Sequence, residues 1–196
     1  MTSVLALDVA ILPPPDVAHR AIQLSAELPA GESKGLRLDA HHLPHITLTQ
    51  QFVRVEEVDE ILERVDDVLR FHPPLPLRIT GGGRGSASVW MEVDRTEQLA
   101  QLHEQLMETL RGYERPGGTA AAFVGGDARL GDVMWVTGYR LNASLHAYTP
   151  HITLGHAKHA PRVEPMTFTA TTVAACHLGR FCTCRTVLRK WSLKSA

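Results

Sequence analysis

The chain has 196 residues, of which 44% are hydrophobic and 21% charged, and its net charge is −1 when the 11 histidines are counted as neutral. These values are typical of a globular protein with one domain or two small lobes, long enough to bury a core without disulfide staples. The charge balance argues against tight, nonspecific binding of long nucleic acid, because such binding needs a large basic excess.

The N-terminal segment, the lack of long apolar runs and the cysteine pattern all favour the same compartment. The segment Met1–Asp8 has no basic residues, so we do not expect a signal peptide, and no apolar run approaches the roughly 20 residues of a membrane span. The three cysteines, Cys176, Cys182 and Cys184, are odd in number and clustered, which does not suit a disulfide framework. We therefore expect a cytoplasmic protein.

The N-terminal part of the chain predicts a strand, a helix and a second strand. Residues 4–12 have a partly alternating apolar pattern that three prolines end. Asp16 can cap a helix that continues to residue 28. Residues 45–53 are β-branched and follow Pro44, so we predict a strand there.

The middle of the chain predicts two amphipathic helices around a hairpin. Residues 58–69 place apolar side chains at helical spacing, with acidic side chains on the opposite face. Residues 75–80 and 88–93 are predicted strands joined by a turn at glycines 81–83. Asp94 and Glu97 form a capping-box-like pair that opens the second helix.

The last part of the chain is predicted to be mainly strand. Residues 114–132 are rich in Gly and Ala and have no periodicity, which predicts a flexible loop, either a mobile flap or a surface insertion. Four further strands are predicted near residues 133–140, 151–155, 166–177 and 183–193. Short late connections favour antiparallel pairing. We predict an α+β fold in which one domain, residues 1–196, is built of two pseudo-symmetric lobes with a groove between them.

A five-residue string occurs twice. Residues 44–48 read Pro-His-Ile-Thr-Leu, and residues 150–154 repeat the string unchanged. A lone His-x-Thr is expected about once by chance in a chain with this histidine content, whereas an identical pentapeptide has about one chance in a hundred. The repetition indicates that this local unit was duplicated, or was required twice.

On a strand, each repeat presents one polar face. Residues i and i+2 share a face, so His45 and Thr47 project together while Ile46 points into the core, and His151 and Thr153 do the same in the second copy. If the two strands face each other, four groups surround one cavity. One imidazole can take a proton from water, the other can protonate a leaving oxygen, and each hydroxyl can bind a phosphate oxygen. The residues do not show which histidine is the base, and no metal is required.

These paired motifs resemble those of the 2H phosphoesterase superfamily, which includes the bacterial 2′-5′ RNA ligase-like proteins and the cyclic nucleotide phosphodiesterases. The resemblance spans most of the chain and implies a bilobal fold with two antiparallel sheets lining a central cleft and helices outside. It implies metal-independent hydrolysis of 2′,3′-cyclic nucleotides, of RNA-terminal cyclic phosphates, or of other small cyclic or oligonucleotide phosphodiesters. His45 and His151 would be the catalytic pair, and Thr47 and Thr153 the phosphate ligands.

The expected partner is a small nucleotide or an RNA end, bound by a monomer without a cofactor and without membrane or long-DNA contacts. Tyr148 and Trp90 are possible base-stacking residues, and plain packing is the alternative for each. Simpler explanations of the motif are strand histidines with local hydrogen bonds and the β propensity of threonine. A zinc site is a further alternative, but the spacing of its candidate ligands matches no usual zinc framework, so we predict no metal. The candidate ligands are His151, His156, His159, Cys176, His177, Cys182 and Cys184.

Three other functions are open alternatives. The chain could be an RNA- or nucleotide-binding module that has lost turnover. It could catalyse 2′-5′ RNA ligation, which is the reverse of the same chemistry. It could be a metal-dependent hydrolase that uses the His/Cys cluster. The sequence differs from RNA-ligase-like relatives after both motifs, where residues 49–53 read Thr-Gln-Gln-Phe-Val and Gly155-His156 replaces an expected arginine, and this leaves the substrate open.

Overall fold

A computed structural model describes residues 3–194 and shows an α+β fold, as the sequence predicts. The described part of the chain forms eight strands: β1 Val4–Leu12, β2 Ile46–Arg54, β3 Leu75–Arg84, β4 Ser88–Val93, β5 His151–His156, β6 Met166–Ala170, β7 Thr172–Gly179 and β8 Thr183–Ser192. It also forms four α-helices: α1 Pro15–Glu27, α2 Val58–Leu69, α3 Glu97–Thr109 and α4 Leu130–Asn142. None of the helices described is long and apolar enough to cross a membrane.

The strands form two four-stranded antiparallel sheets. The first sheet has the order β2-β1-β7-β8 and the second has the order β5-β4-β3-β6. We call them lobe 1 and lobe 2. The strand that carries a His-Ile-Thr motif lies at the edge of its sheet in both lobes. The predicted pair of antiparallel sheets is therefore confirmed.

Alternating and helical patterns explain most of the core. In β3 the buried residues alternate with exposed ones, as expected for a sheet with one face covered. Helix α2 buries a single stripe, Ile61, Leu62, Val65 and Leu69, and leaves its acidic face in water. One continuous cluster of buried aliphatic side chains joins both sheets to helices α1, α2 and α3, so the two lobes share a core.

The prediction of a strand at residues 133–140 is wrong, because this segment lies in helix α4. The buried positions are Asp132, Val136 and Tyr139, which recur at helical rather than alternating spacing. At the start of α4 the Arg129 amide (2.9 Å) and guanidinium (3.1 Å) both donate to the Asp132 carboxylate, and the Asp132 amide donates to the Arg129 carbonyl (3.0 Å), which fixes the first turn. Tertiary packing and this cap override the strand propensity of the valines.

The predicted glycine turn is also wrong. Glycines 81–83 lie inside β3, and the chain turns after them, where the Gly85 amide donates to the Ser88 carbonyl (2.9 Å). A Cβ at position 82 would collide with the Pro161 carbonyl oxygen, and one at position 83 would collide with the Trp90 indole nitrogen. These glycines therefore allow close packing within the sheet.

Two smaller corrections concern element ends. Helix α3 is capped by Thr96, whose hydroxyl accepts from the Leu99 amide (3.2 Å), rather than by Asp94. The predicted strand at residues 166–177 is two strands in different sheets, since β6 pairs with β3 and β7 pairs with β1. The chain passes from lobe 2 back to lobe 1 between them.

The Gly/Ala-rich segment 114–132 contains a short helical turn at Ala120–Ala122. Phe123 is buried and its ring meets Phe52 edge-on, with 5.8 Å between ring centroids. The Val124 amide donates to the Leu178 carbonyl (2.8 Å). The segment is thus attached to lobe 1 at these points, and its mobility stays a prediction.

Candidate active site

Both motifs contain the same backbone irregularity. In lobe 1, Ala10 pairs with Thr47 and Val9 pairs with Thr49, so Leu48 is an extra residue in β2. In lobe 2, Trp90 pairs with Thr153 and Val89 pairs with Gly155, so Leu154 is the extra residue in β5. Each copy of the repeat therefore carries a β-bulge at its leucine. Bulges bend a strand and re-aim its side chains, and they are common beside active sites.

A buried side chain binds the carbonyl of each bulged leucine. His103 of α3 contacts the Leu48 carbonyl through Nδ1 (2.6 Å), and its Nε2 accepts from the Leu145 amide (2.8 Å). Ser25 of α1 donates to the Leu154 carbonyl (2.6 Å) and accepts from the Leu38 amide (2.9 Å). In each case one side chain connects the bulge to a loop, and we call Ser25 and His103 the bulge caps.

The two histidines of the repeat have the same orientation. His45 Nδ1 lies 2.8 Å from the Leu43 carbonyl, and His151 Nδ1 lies 2.7 Å from the Thr149 carbonyl. A carbonyl oxygen can only accept, so Nδ1 carries the hydrogen in both rings. Each ring is therefore left with Nε2 for a bound molecule.

All four predicted side chains line one cavity of about 600 Å³ between the lobes: His45, Thr47, His151 and Thr153. This volume is within the range of small-molecule sites. The structure thus brings together residues that are about a hundred positions apart in the sequence, as the resemblance implies. Their catalytic role remains a proposal.

Asp8, a buried carboxylate beside the first motif, is not among the residues predicted from the sequence. Its Oδ2 accepts from the Thr47 hydroxyl (2.9 Å) and from Gln50 Nε2 (2.7 Å), and it lies 3.8 Å from His45 Nε2. Asp8 is fully buried in β1. The available signal was a single charged residue inside the apolar segment 4–12, since charged side chains are almost never fully buried without a partner.

The electrostatic environments of the two histidines differ. Burial lowers the pKa of His151, and the nearby His45 lowers it further, although the hydrogen bond to the Thr149 carbonyl acts in the opposite direction. His45 instead has the Asp8 carboxyl as its neighbour. Burial raises the pKa of Asp8, while His45, Gln50 and Thr47 all act to lower it. Burial thus favours the neutral form of His151.

The two aromatic candidates are placed differently. Tyr148 is buried, its ring stacks on His103 with 3.8 Å between centroids, and its hydroxyl donates to the Thr47 carbonyl (3.0 Å). This arrangement favours the packing alternative over base stacking for Tyr148. Trp90 is only half-buried, lines the cavity, and lies 5.1 Å from the His151 ring. Of these two candidates, Trp90 is the one available to a ligand.

The C-terminal His/Cys residues do not assemble around one point. Within residues 3–194, the one group of three metal-ligand side chains that lie close together is Asp8, His45 and Cys184, whose ligand atoms are within 4.8 Å of one another. Burial raises the pKa of the Cys184 thiol, so the thiolate that a metal needs is disfavoured. Asp8 Oδ2 already accepts two hydrogen bonds. This donor set does not fit a resident metal, and we assign none.

Comparisons with known proteins agree with this geometry. A family model described as the 2′-5′ RNA ligase superfamily matches residues 13–177. The structure is similar to the apo form of LigT from E. coli, with a TM-score of 0.65 and 19% identity over 99% of this chain and 100% of LigT. It is also similar to TT0787 from Thermus thermophilus, with a TM-score of 0.60 and 19% identity over 97% of this chain and 99% of that chain. A structure described as a phosphoesterase gives a TM-score of 0.65 and 18% identity over 98% and 100% of the two chains. No curated protein sequence matches the chain.

Proposed function

The chain belongs to the 2′-5′ RNA ligase superfamily, and from this membership we propose that it is a metal-independent phosphodiesterase that hydrolyses 2′,3′-cyclic nucleotides or RNA-terminal cyclic phosphates. The observation that carries the proposal is the pair of identical motifs lining one cavity with both Nε2 atoms available. A nucleotide-binding module that does not turn over substrate has no need of two imidazoles in matched orientation.

The two histidines have different roles in this proposal. His151, whose pKa burial lowers, is the general base. Its Nε2 takes a proton from water as the water oxygen attacks phosphorus. His45, beside the Asp8 carboxyl, is the general acid. The bond between phosphorus and one ribose oxygen breaks, and His45 Nε2 gives its proton to that oxygen. After one reaction His151 is left protonated and His45 is left neutral, so both must exchange protons with solvent before the next turnover.

The two threonines bind the non-bridging oxygens of the phosphate. A hydroxyl donor held in place beside these oxygens stabilises the charge that grows in the transition state. The two bulges aim Thr47 and Thr153 from opposite lobes, so an anion between them is contacted from two sides. Trp90 is proposed to stack on the base, because stacking tolerates any base.

The ligands bound by a related protein support a phosphate-containing ligand for this cavity. E. coli LigT has been crystallised with phosphate, with 3′-AMP, with ATP and with NADP⁺. All four molecules contain phosphate and three contain adenosine. A cavity of about 600 Å³ has room for a molecule of nucleotide size.

The test is turnover of 2′,3′-cyclic nucleotides by the full chain in the presence of EDTA. We expect His45→Ala and His151→Ala each to lower kcat by about a hundredfold or more, since a general acid or base contributes about 10² to 10⁴. His19→Ala, an exposed histidine on α1, is the matched control. Phosphorus NMR identifies the product as a 2′- or a 3′-phosphate.

Each other outcome identifies a different function. Unchanged turnover in either motif variant would refute the assignment of that histidine. Binding without product would favour a nucleotide-binding module. Loss of activity in EDTA, with recovery on adding zinc, would favour a metal-dependent hydrolase. Joined RNA ends in an assay with 2′,3′-cyclic phosphate and 5′-hydroxyl termini would show ligation, in which the 5′-hydroxyl oxygen attacks phosphorus in place of water.

A further inference from the structure

Asp8 is an unusual neighbour for a site that binds anions. It is fully buried, its Oδ2 is bound by Thr47 and Gln50, and its Oδ1 has no hydrogen-bond partner within residues 3–194. A buried carboxylate with an unpaired oxygen is costly in its ionised form. This carboxyl is therefore poised to take up a proton.

The hydrogen bond from Thr47 to Asp8 has a direct consequence for substrate binding. A threonine hydroxyl has one hydrogen and two lone pairs. In the structure the Thr47 hydroxyl donates to Asp8 Oδ2 at 2.9 Å. While Asp8 is ionised, that hydrogen is engaged, so Thr47 cannot donate it to a phosphate oxygen.

Two anions would also be too close together. A phosphate oxygen that contacts the Thr47 hydroxyl would lie within about 6 Å of Asp8 Oδ2, which is the sum of two hydrogen-bond lengths. Like charges at this separation oppose each other's ionised form. His45, 3.8 Å from the carboxylate, would then be shared between two anions. An uncharged Asp8 removes both conflicts.

Building on the proposed function, we propose that Asp8 is a positioning residue that takes up one proton from solvent when a phosphate group binds, and that this turns the Thr47 hydroxyl from Asp8 toward the phosphate. The carboxyl then donates through its new O–H to Thr47 Oγ1, and Thr47 donates its hydrogen to a non-bridging oxygen. The bound phosphate replaces the carboxylate as the counter-ion of His45. No covalent bond other than the O–H of Asp8 is formed.

Other titratable groups also face Asp8. They are His45, Tyr139, Tyr148, Cys182 and Cys184, from the segment before β2, from α4, from the loop before β5 and from the start of β8. Burial raises the pKa of both tyrosines and of both cysteines, so these four stay neutral below pH 8. Asp8 is therefore the acidic group in this set that can take up a proton.

Sulfate is a suitable probe because it is tetrahedral and anionic and does not titrate near neutral pH. The experiment measures the dissociation constant of sulfate by calorimetry between pH 5 and pH 8, for the wild-type chain and for Asp8→Asn. The asparagine amide can donate to Thr47 and its carbonyl can accept from Gln50, so the variant imitates protonated Asp8. Asp59→Asn, an exposed position on α2, is the matched control.

We expect Asp8→Asn to bind sulfate about tenfold or more tightly than wild type at pH 8, which corresponds to the shift that a like charge causes at this distance. The ratio of the wild-type to the variant dissociation constant should approach one at the acid end and rise by as much as about tenfold per pH unit. His151 is common to both proteins. The variant lacks the carboxyl beside His45, and this loss acts against tighter anion binding, so it cannot explain a tighter variant. Asp59→Asn should match wild type.

Weaker sulfate binding by Asp8→Asn at every pH would overturn the proposal, and so would a ratio that does not change with pH. A wild-type chain that does not bind sulfate at all would also overturn it. The result is separate from the proposed hydrolysis, which is measured on cyclic nucleotides with the wild-type chain. Sulfate binding that is tighter in Asp8→Asn than in wild type at pH 8, in a chain without turnover, would support the inference and refute the hydrolase.

Discussion

Replacement of Ser25 by alanine tests whether the bulge caps hold the motif strands in place. The change removes one oxygen atom and leaves two buried groups, the Leu154 carbonyl and the Leu38 amide, without their partner. Each lost buried hydrogen bond costs about 1–1.5 kcal/mol. Alanine is a better helix former than serine by about 0.5 kcal/mol. The net loss in the free energy of unfolding is therefore about 2 kcal/mol, or about 4–8 °C in Tm for a chain of this size.

The assay combines urea unfolding with turnover. Since Leu154 follows Thr153 directly, release of its carbonyl lets the bulge move, and we expect kcat/KM to fall by about tenfold or more. Ser192→Ala, at an exposed position in β8, is the control and should change neither quantity. If Ser25→Ala unfolds within about 0.5 kcal/mol of wild type, the cap does not stabilise the bulge and the reasoning is refuted.

Three further changes have defined expected outcomes. Burial lowers the pKa of His103, so its neutral form stabilises the fold fully above the unfolded pKa of about 6.5, and this stability is lost as the pH falls below that value. Glutamine keeps a donor and an acceptor but does not titrate. In urea unfolding, His103→Gln should therefore reduce the loss of stability at low pH by up to about 1.4 kcal/mol per pH unit. Burial raises the pKa of Asp8, so the contribution of its protonated form to folding stability is fully present below about pH 3.8 and is lost as the pH rises. Calorimetry should therefore show a higher Tm for Asp8→Asn than for wild type at pH 7, and this difference should shrink toward pH 4. Gly83→Ala sets a methyl group against the Trp90 indole, and nucleotide affinity should fall by about fivefold or more; unchanged affinity would contradict a ligand-facing Trp90.

The sequence was a good guide to the parts of the site that repeat. The pentapeptide placed both motifs on strands, and alternation alone put His45 and Thr47 on one side. It did not predict the polar residues whose hydrogen-bond partners are distant in the sequence. Asp8 and Ser25 lie among apolar residues, and nothing local indicates that they bind Thr47 and Leu154, which are 39 and 129 positions away.

Helix α4 and the glycines of β3 show a second kind of limit. Valine and tryptophan near residue 135 favour a strand, but an ion pair at the helix start and packing at every third or fourth residue decide the outcome. Glycines predict a turn by default, whereas Gly82 and Gly83 are needed because the Pro161 carbonyl and the Trp90 ring occupy the space of a side chain. Both outcomes depend on neighbours that only the folded chain supplies.

Each bulge cap lies on a helix that follows a strand of one lobe in the sequence but binds the motif strand of the other lobe. Ser25 is on α1, which follows the first strand of lobe 1, yet it caps the motif strand of lobe 2. His103 is on α3, which follows β4 of lobe 2, yet it caps the motif strand of lobe 1. Each reactive strand thus depends on a helix encoded with the other sheet. A chimaera that exchanges one sheet with a relative is therefore expected to need the opposite helix as well.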